Sequence, residues 1–372
     1  IARLCQDFAG DYWQACDKDD AYPSAFVNRL TEEGYLSALI PEAYGGLGLS
    51  LSAGGAILEE IHPSGGNAAA CHAQMYTMGT VLRHGSEAQK QRFLPGIASG
   101  DLRLQAFGVT EPGSGTDTSA LKTTAYKQGD QYIINGQKLW TSRAEHSDLM
   151  ILLARTSDVP EGGKKTDGLS VFIVDMRDVL GQSLTIRPVS TMMPDCTTQL
   201  FFDDMPVPCE NLIGEEGKGF RYILTGMNAE RMLIAAECIG DAKWFIQQAR
   251  DYGCEREVFG RPIAQNQGIQ FPIAQAYSAM RSAELMLNEA FQMYEAGQNP
   301  GEEANLAKLQ SADASWQAAE ACIQTFGGFG FATEYNIERK YREARLYQVA
   351  PISTNLILSY IAEHVLKMPR SY

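Results

Sequence analysis

The chain has 372 residues and a net charge of −14, with 45% hydrophobic and 20% charged residues. That length exceeds one ordinary core and predicts two or three domains. The acidic balance argues against nucleic acid and anionic membranes as partners, and no apolar run approaches the ~20 residues a spanning helix needs, so membrane insertion is not expected.

The opening "IARLCQDFAG" lacks an initiator Met and a basic-then-apolar pattern, so a signal peptide is not expected and residues preceding Ile1 are. Up to about Gly100 the pattern is helical, interrupted by turn signals such as "PEAYGGLGLS"; "AGGAILEEIH" and "EAQKQRFLPGIASG" fit amphipathic helices with Gly or Pro stops. The texture then changes. "QYIINGQKLWTS" reads as two β-prone runs around Asn135-Gly136, a strong hairpin signal, and "GLSVFIVDM", "LTIRPVS" and "TQLFFDDMPVP" read as further strands. From Gly219 onward the chain is helical again, long enough for a bundle, and no internal repeat is evident. The domain boundaries that follow are 1–105 (helical), 106–215 (β) and 216–372 (helical).

The cysteines Cys5, Cys16, Cys71, Cys196, Cys209, Cys238, Cys254 and Cys322 are scattered without a C-x-x-C pair, as expected of reduced thiols in an intracellular protein. The histidines His62, His72, His84, His146 and His364 show no metal-ligand spacing, so no metal is expected. The Gly-rich pieces are not nucleotide motifs by themselves. "EPGSGTD" lacks G-x-G-x-x-G spacing, and "GEEGKGF" is too short for a P-loop. "FGGFGF", at the end of a long helical stretch, places Gly328 and Gly330 where a backbone approaches a flat or phosphorylated group closely, or where a helix simply stops.

One segment carries an oddity. In "TGMNAERMLIAAECIG", Ile223, Met227, Glu230, Ile234 and Cys238 fall on one helical face, so a carboxylate interrupts an apolar stripe.

Taken in order, "FGVTEPGSGTD", "INGQKLWTS", "FDDMPVPCENLIGEEGKGF", "YGCEREVFGRPIAQNQGIQF" and "FGGFGFATEY" resemble the acyl-CoA dehydrogenase family over nearly the whole chain, from "IPEAYGG" onward. The resemblance implies a multi-domain α+β fold: an N-terminal helical domain, a middle β-barrel or sandwich domain and a C-terminal four-helix bundle. It implies FAD, an acyl-CoA substrate, electron-transfer flavoprotein as oxidant of the reduced flavin, and a homo-oligomer, dimer or tetramer. It further implies a cytoplasmic location in a bacterium, or the mitochondrial matrix in a eukaryote.

By the same resemblance Phe107, Val109 and Thr110 line the isoalloxazine, Thr116 stands near the flavin or the thioester, Trp140 covers the ring and Ser142 bonds near N5. Arg256 and Phe259 of the adjacent subunit hold pyrophosphate and adenine, and Gln324 and Gly328 complete that end. Gln267, Ser353 and Asn355 also fall to the cofactor. Each has a plainer reading: Trp140 as β-domain core, Arg256 as a surface ion pair. Two segments depart from the family. Arg143 replaces a common Asn, and "STMMPDCTTQL" lacks a lysine-glycine pattern.

Most relatives carry the catalytic base in a segment after "FGGFGF"; here that segment reads "LYQVAPISTN". Gapless counting puts Pro351 at the base position and a one-residue shift puts Ala350 there; neither accepts a proton. A smaller subgroup, typified by isovaleryl- and long-chain acyl-CoA dehydrogenases, places the base on a bundle helix just before an arginine. The corresponding residues are Glu230 and Arg231, with Glu230 as catalytic base and Arg231 near the substrate. The alternative for Glu230 is a structural acid paired with Arg231 or Arg339. Ala350 is preferred at the usual base position because its amide can donate to the thioester carbonyl, whereas Pro351 has no N–H. Two other functions stay open: a flavin oxidase or monooxygenase on the same fold, and a catalytically silent flavin- or acyl-CoA-binding protein.

Overall fold

The computed structural model describes residues 1–193 and 196–371, so Pro194 and Asp195 of the divergent "STMMPDCTTQL" segment lie outside the described residues. The chain clusters into two compact units, one of residues 20–49 and 69–227, the other of 1–19, 50–68 and 228–372. The expected helical block 1–105 is therefore shared between both.

Six helices precede the sheet: α1 (Ala2–Gln6), α2 (Gly10–Lys18), α3 (Ser24–Glu32), α4 (Leu51–Ile61), α5 (Ala69–His84) and α6 (Glu87–Ser99). The ends of α6 are set by local chemistry. Ser86 Oγ accepts the Gln89 amide and Gln89 Oε1 accepts that of Ser86, while Gly100 closes the helix in a left-handed conformation.

The strands of the first unit are β1 (Leu104–Gly108), β2 (Thr124–Gln128), β3 (Gln131–Ser142), β4 (Leu149–Arg155), β5 (Leu169–Asp175), β6 (Leu184–Pro188), β7 (Thr197–Pro208) and β8 (Leu212–Ile213). They form a sheet in the order β6-β7-β3-β2-β4-β5-β8, with β1 parallel to β4. Alternation on β4 separates two cores. Met150, Leu152 and Ala154 join Tyr132, Ile134, Phe172, Leu200 and Phe202 on one face. Leu149, Ile151 and Leu153 join Met78, Val81, Phe93 and Leu94 of α5 and α6 on the other. A strand buried on both faces must be apolar throughout, and "LMILLA" is.

The hairpin expected at Asn135-Gly136 is not there. The chain turns at Gly129 and Asp130, and Asn135-Gly136 forms a bulge inside the twelve-residue β3. At φ +146°, Gly136 has no room for a side chain, because a Cβ would lie 2.5 Å from Thr123 Oγ1. Asn135 meanwhile bonds Asp204 on the neighbouring strand through both its amide atoms. Asn-Gly served a bulge, which needs the same backbone freedom as a tight turn.

The second unit is helical: most of α7 (Gly219–Glu255), then α8 (Gln267–Glu295), α9 (Gly301–Phe326), α10 (Ile337–Leu346) and α11 (Thr354–Tyr360), with a small hairpin of β9 (Glu257–Val258) and β10 (Arg261–Pro262). Small residues let its helices approach. A Cβ on Gly240 would sit 2.2 Å from the Glu59 carbonyl oxygen, so only glycine permits this crossing of α4 and α7.

That approach delivers His62 to the residue following Gly240. Lys340 Nζ lies 2.5 Å from Asp241 Oδ1 and 3.0 Å from His62 Nδ1, and His62 Nε2 lies 3.5 Å from Glu237 Oε2. Arg339 pairs with Glu343 at 2.5 Å. All six ionisable side chains are buried. Burial alone would raise the carboxyl pKa values of Asp241 and Glu343, but the adjacent cations hold both below the usual range. For His62, burial and Lys340 push down, and the carboxylates of Asp241 and Glu237 outweigh them, leaving it raised. With His62 protonated, three anions face three cations.

The signs give a pH window. Asp241 and Glu343, depressed below 3.8 and 4.5, contribute fully above those values and lose their contribution as pH falls through the folded pKa. His62, raised above 6.5, contributes fully below that value and loses it as pH rises through its folded pKa. Urea unfolding of wild type is therefore expected to give maximal stability between about pH 5 and 6.5. Asp241→Asn should cost on the order of 3–5 kcal/mol at pH 7, because it strands the Lys340 ammonium, and should flatten the acid flank. A variant matching wild type at every pH would refute this account of the cluster.

Candidate active site

In the sheet unit the ends of β1 and β3 meet. The Leu139 amide donates to the Thr110 carbonyl at 2.8 Å. Below that contact Lys138, fully buried, donates to Val109 O at 3.0 Å and to Glu111 Oε1 at 2.8 Å. The Glu111 carboxylate also accepts the amides of Lys122 and Thr123 at 2.6 and 2.9 Å. Burial opposes the charge on both partners. It drives Lys138 down to about 8, while Lys138 and the amides hold Glu111 below the usual carboxylate range against it. This knot fixes the backbone of Val109 and Thr110 from behind.

At Trp140 the pairing of β3 with β7 slips: Leu139 faces Gln199 and Thr141 faces Thr198. Trp140 has φ +63° and leaves the ladder with 57% of its side chain exposed. It is not β-domain core. A bulge that re-aims an aromatic side chain outward suits a surface that receives a flat ligand. Phe107 and Val109 are half-buried, with Tyr76 edge-on to Phe107 at 5.4 Å; Thr110 and Ser142 are half-buried, and Thr116 is exposed. Arg143 is buried at φ +60°, a conformation that Asn, its family counterpart, adopts more easily.

In the helical unit the stripe read from sequence is present on α7. Glu230 is 8% exposed, Ile234 6% and Cys238 0%; Ile223, in the sheet unit's share of the helix, is also buried and Met227 is half-buried. The Arg231 guanidinium donates to Asn228 Oδ1 at 2.7 Å; burial lowers its pKa, while the charges of Glu230 and Tyr360 oppose that. Arg339, an alternative partner for Glu230, is committed to Glu343, Asn336 and the Gly65 carbonyl.

The loop between α10 and α11 corrects one expectation. The Ala350 amide, preferred as a donor to the thioester, donates instead to the Leu346 carbonyl at 2.9 Å, as does Val349. The end of α10 winds on through a further turn, and that turn consumes the donor. Ser353 Oγ accepts the Leu356 amide and caps α11; Asn355 is exposed.

At the far end of the same unit, a cleft of about 600 Å³ is lined by Tyr252, Arg256, Val258, Phe326, Gly328 and Phe329. Tyr252 stacks on Phe326 at 4.1 Å, and the Arg256 guanidinium lies 5.9 Å above Phe329. A Cβ on Gly328 would meet nothing within 4 Å, so the glycine leaves open space, whereas Gly330 is required by contact with Ile323. Aromatic walls with an arginine at the rim fit an adenine nucleotide: rings for the base, a planar cation for phosphate. Phe259, fully exposed at φ +55° beside β9, and exposed Gln267 and Gln324 lie outside this lining. Sequence reasoning had not placed Tyr252, Phe326, Lys138 or Glu111; a lysine and a glutamate flanking β-prone runs were the available sign of the buried pair.

The sheet unit thus presents an exposed tryptophan on a bulged strand, and the helical unit holds a buried carboxylate and an aromatic cleft with an arginine in its lining. The chain matches the acyl-CoA dehydrogenase N-terminal, middle and C-terminal domain models over residues 1–101, 106–205 and 217–366. It is 33% identical to acyl-CoA dehydrogenase FadE12 of Mycobacterium tuberculosis, over 100% of this chain and 95% of that one. A solved chain from a study of the electron transferring flavoprotein of Acidaminococcus fermentans superposes with TM-score 0.92 at 29% identity, covering 98% and 96%. Butyryl-CoA dehydrogenase of Megasphaera elsdenii gives 0.89 at 28%, covering 98% and 97%. The chain belongs to the acyl-CoA dehydrogenase family, whose members use FAD. Among the described residues no helix is long and apolar enough to cross a membrane.

Because Trp140 is largely exposed, Trp140→Ala should leave apoprotein stability within about 0.5 kcal/mol of wild type in urea. The ratio of flavin to protein absorbance after gel filtration should nevertheless fall. Equal retention of FAD would return Trp140 to a surface role.

Proposed function

We propose that the chain oxidises the α,β bond of an acyl-CoA thioester to the trans-2-enoyl-CoA, with Glu230 as base. The observation that carries the reading is a carboxylate only 8% exposed on an otherwise apolar helical stripe, in a chain whose "VAPIS" loop contains none. Apolar burial disfavours the charged form of an acid and so makes its carboxylate a better proton acceptor. Glu230 takes the α-proton, and the electron pair left at Cα forms the new double bond as the β-hydrogen departs with its own pair. When bound, FAD supplies the oxidant, accepting that hydrogen as hydride at N5.

Phe107, Val109, Thr110, Trp140 and Ser142 would hold the isoalloxazine, with Thr116 beside it. Arg256, Phe259, Gln324 and Gly328 would serve the ADP half of a neighbouring subunit's cofactor, and Gln267, Ser353 and Asn355 would also contact the cofactor. The cleft around Arg256 and Gly328 supports this assignment. Arg231, next to the base, would keep the substrate end electropositive. A homo-oligomer follows from that sharing, and electron-transfer flavoprotein is the proposed acceptor. One observation favours a second reading, a flavin oxidase: neither Ala350 nor Pro351 offers the loop amide that polarises a thioester.

Anaerobic titration with straight and branched acyl-CoAs is expected to bleach the flavin of wild type. In Glu230→Gln the bleaching rate should fall at least 10²-fold with binding retained. Bleaching unchanged in the variant would remove Glu230 as base. Rapid reoxidation by O₂ with product bound would favour the oxidase.

A further inference from the structure

Lys138 carries its charge into the sheet unit with none of its side chain exposed. It stands on β3 opposite Leu200, and its stem passes β1 at Gly108. A Cβ on that glycine would lie 3.6 Å from Lys138 Cγ and 3.1 Å from both Met150 Sδ and Leu152 Cδ1. Glu111 is the acid within ion-pair distance among the described residues, and its carboxylate is shared with the amides of Lys122 and Thr123. Replacing a buried pair by apolar side chains of similar volume is often neutral or stabilising, so tying two strand ends together does not by itself call for charge.

The contact with Val109 gives the charge something to act on. Lys138 Nζ holds the Val109 carbonyl at 3.0 Å, and the Leu139 amide holds the next carbonyl, that of Thr110, at 2.8 Å. Both flanks of Thr110 are therefore pinned. The Val109–Thr110 peptide is trans, so its C=O and N–H point in opposite directions, and the Thr110 N–H is aimed away from the buried pair. That N–H has no acceptor among the described residues. It stands beside Leu139, whose neighbour Trp140 leaves the ladder at φ +63°. A carbonyl that accepts from a cation strengthens the donor of its own peptide. Glu111 opposes this, but the peptide is in direct contact with the positive end of the pair.

We propose that Lys138 is a positioning residue that sets how readily a bound flavin accepts electrons: through the Val109–Thr110 peptide it presents positive potential beside Trp140, where the ring gains charge. Hydride transfer adds two electrons and one proton to the ring, hence one negative charge, and positive potential fixed beforehand favours that form. The inference rests on the reading above that Thr110 and Trp140 face the isoalloxazine. It adds a role for a charged pair that itself touches no ligand.

The test uses FAD-loaded wild type, Lys138→Met, and Lys138→Met combined with Glu111→Gln. The double variant removes both charges, leaves no stranded acid and keeps an acceptor for the two amides. Bound flavin is brought to anaerobic equilibrium with a redox dye at pH 7, and the ratio of reduced to oxidised flavin is read from absorbance at a fixed dye poise. In the double variant this ratio is expected to fall about tenfold, which is about 30 mV for a two-electron couple. In Lys138→Met, where Glu111 is left without its cation, it should fall at least as far. An unchanged ratio in a double variant that holds FAD would overturn the proposal, as would weaker FAD binding with the potential of the bound flavin unaltered. If neither variant takes up FAD, the pair serves folding and the proposal falls. Trp140→Ala, measured alongside, reports on the reading beneath. If it changes neither FAD retention nor the absorbance of the bound flavin, the ring lies elsewhere and both fall. If it changes them while the double variant keeps the wild-type ratio, the proposal alone falls.

Discussion

The helical unit depends on a salt bridge with no access to water: Lys340 against Asp241, 2.5 Å apart and both fully buried. Neither charge is tolerable there alone, so the elements that carry them have little freedom to move apart. Asp241 stands on α7, Lys340 on α10, and His62 at the end of α4 closes on both. Three segments distant in sequence are thereby locked by electrostatics rather than by packing alone. Gly240 is the steric condition for the lock, since any side chain there would push α4 away from α7.

The lock bears on the chemistry through helix geometry. Glu230, Glu237 and Asp241 follow steps of seven and four on α7, which places three carboxylates along one buried face. The latter two face His62 and Lys340, so their charges are offset within the cluster. Glu230 is two turns away, beside Arg231. One helix thus carries both the proposed base and two acids of the buried cluster. A fixed α7 holds the proposed base within the small tolerance that proton abstraction requires. In the sheet unit the Glu111–Lys138 knot has the corresponding role, fixing the strand ends from which Thr110 and Trp140 project.

Much of this was legible in the sequence, for reasons that particular residues make plain. Period-2 alternation and turn residues marked the sheet, and the 4-3-4-4 spacing of Ile223, Met227, Glu230, Ile234 and Cys238 correctly forecast a buried face on α7. Asn135-Gly136 misled because a bulge and a tight turn ask the same thing of a glycine, and only the strand partner distinguishes them. Ala350 misled because an amide's availability depends on how far the preceding helix winds, and α10 winds on to reclaim it at Leu346. The buried ion pairs were invisible for a different reason. Lys340 sits in the charged stretch "IERKYREAR" and Lys308 is the lone charge in "NLAKLQSA", and in either setting a lysine ordinarily reads as solvated. Glu343 stands within one turn of Lys340 on α10, but Asp241, His62 and the carbonyls that Lys308 meets come from other elements, and no local pattern encodes those meetings.

Those two lysines also separate two uses of a buried cation. Lys340 is matched by acids, and the whole cluster approaches neutrality when His62 is protonated. Lys308 has no acid within ion-pair distance among the described residues; it donates to two peptide carbonyls, and the more distant Asp313 and Cys238 only partly oppose the lowering of its pKa by burial. A proton leaving the α-carbon of a thioester transfers negative charge toward the carbonyl oxygen, and positive potential fixed before the reaction stabilises that charge without reorganisation. A buried ammonium held on two peptide carbonyls, as Lys308 is on those of Tyr347 and Ile352, is fixed in that sense before any ligand arrives.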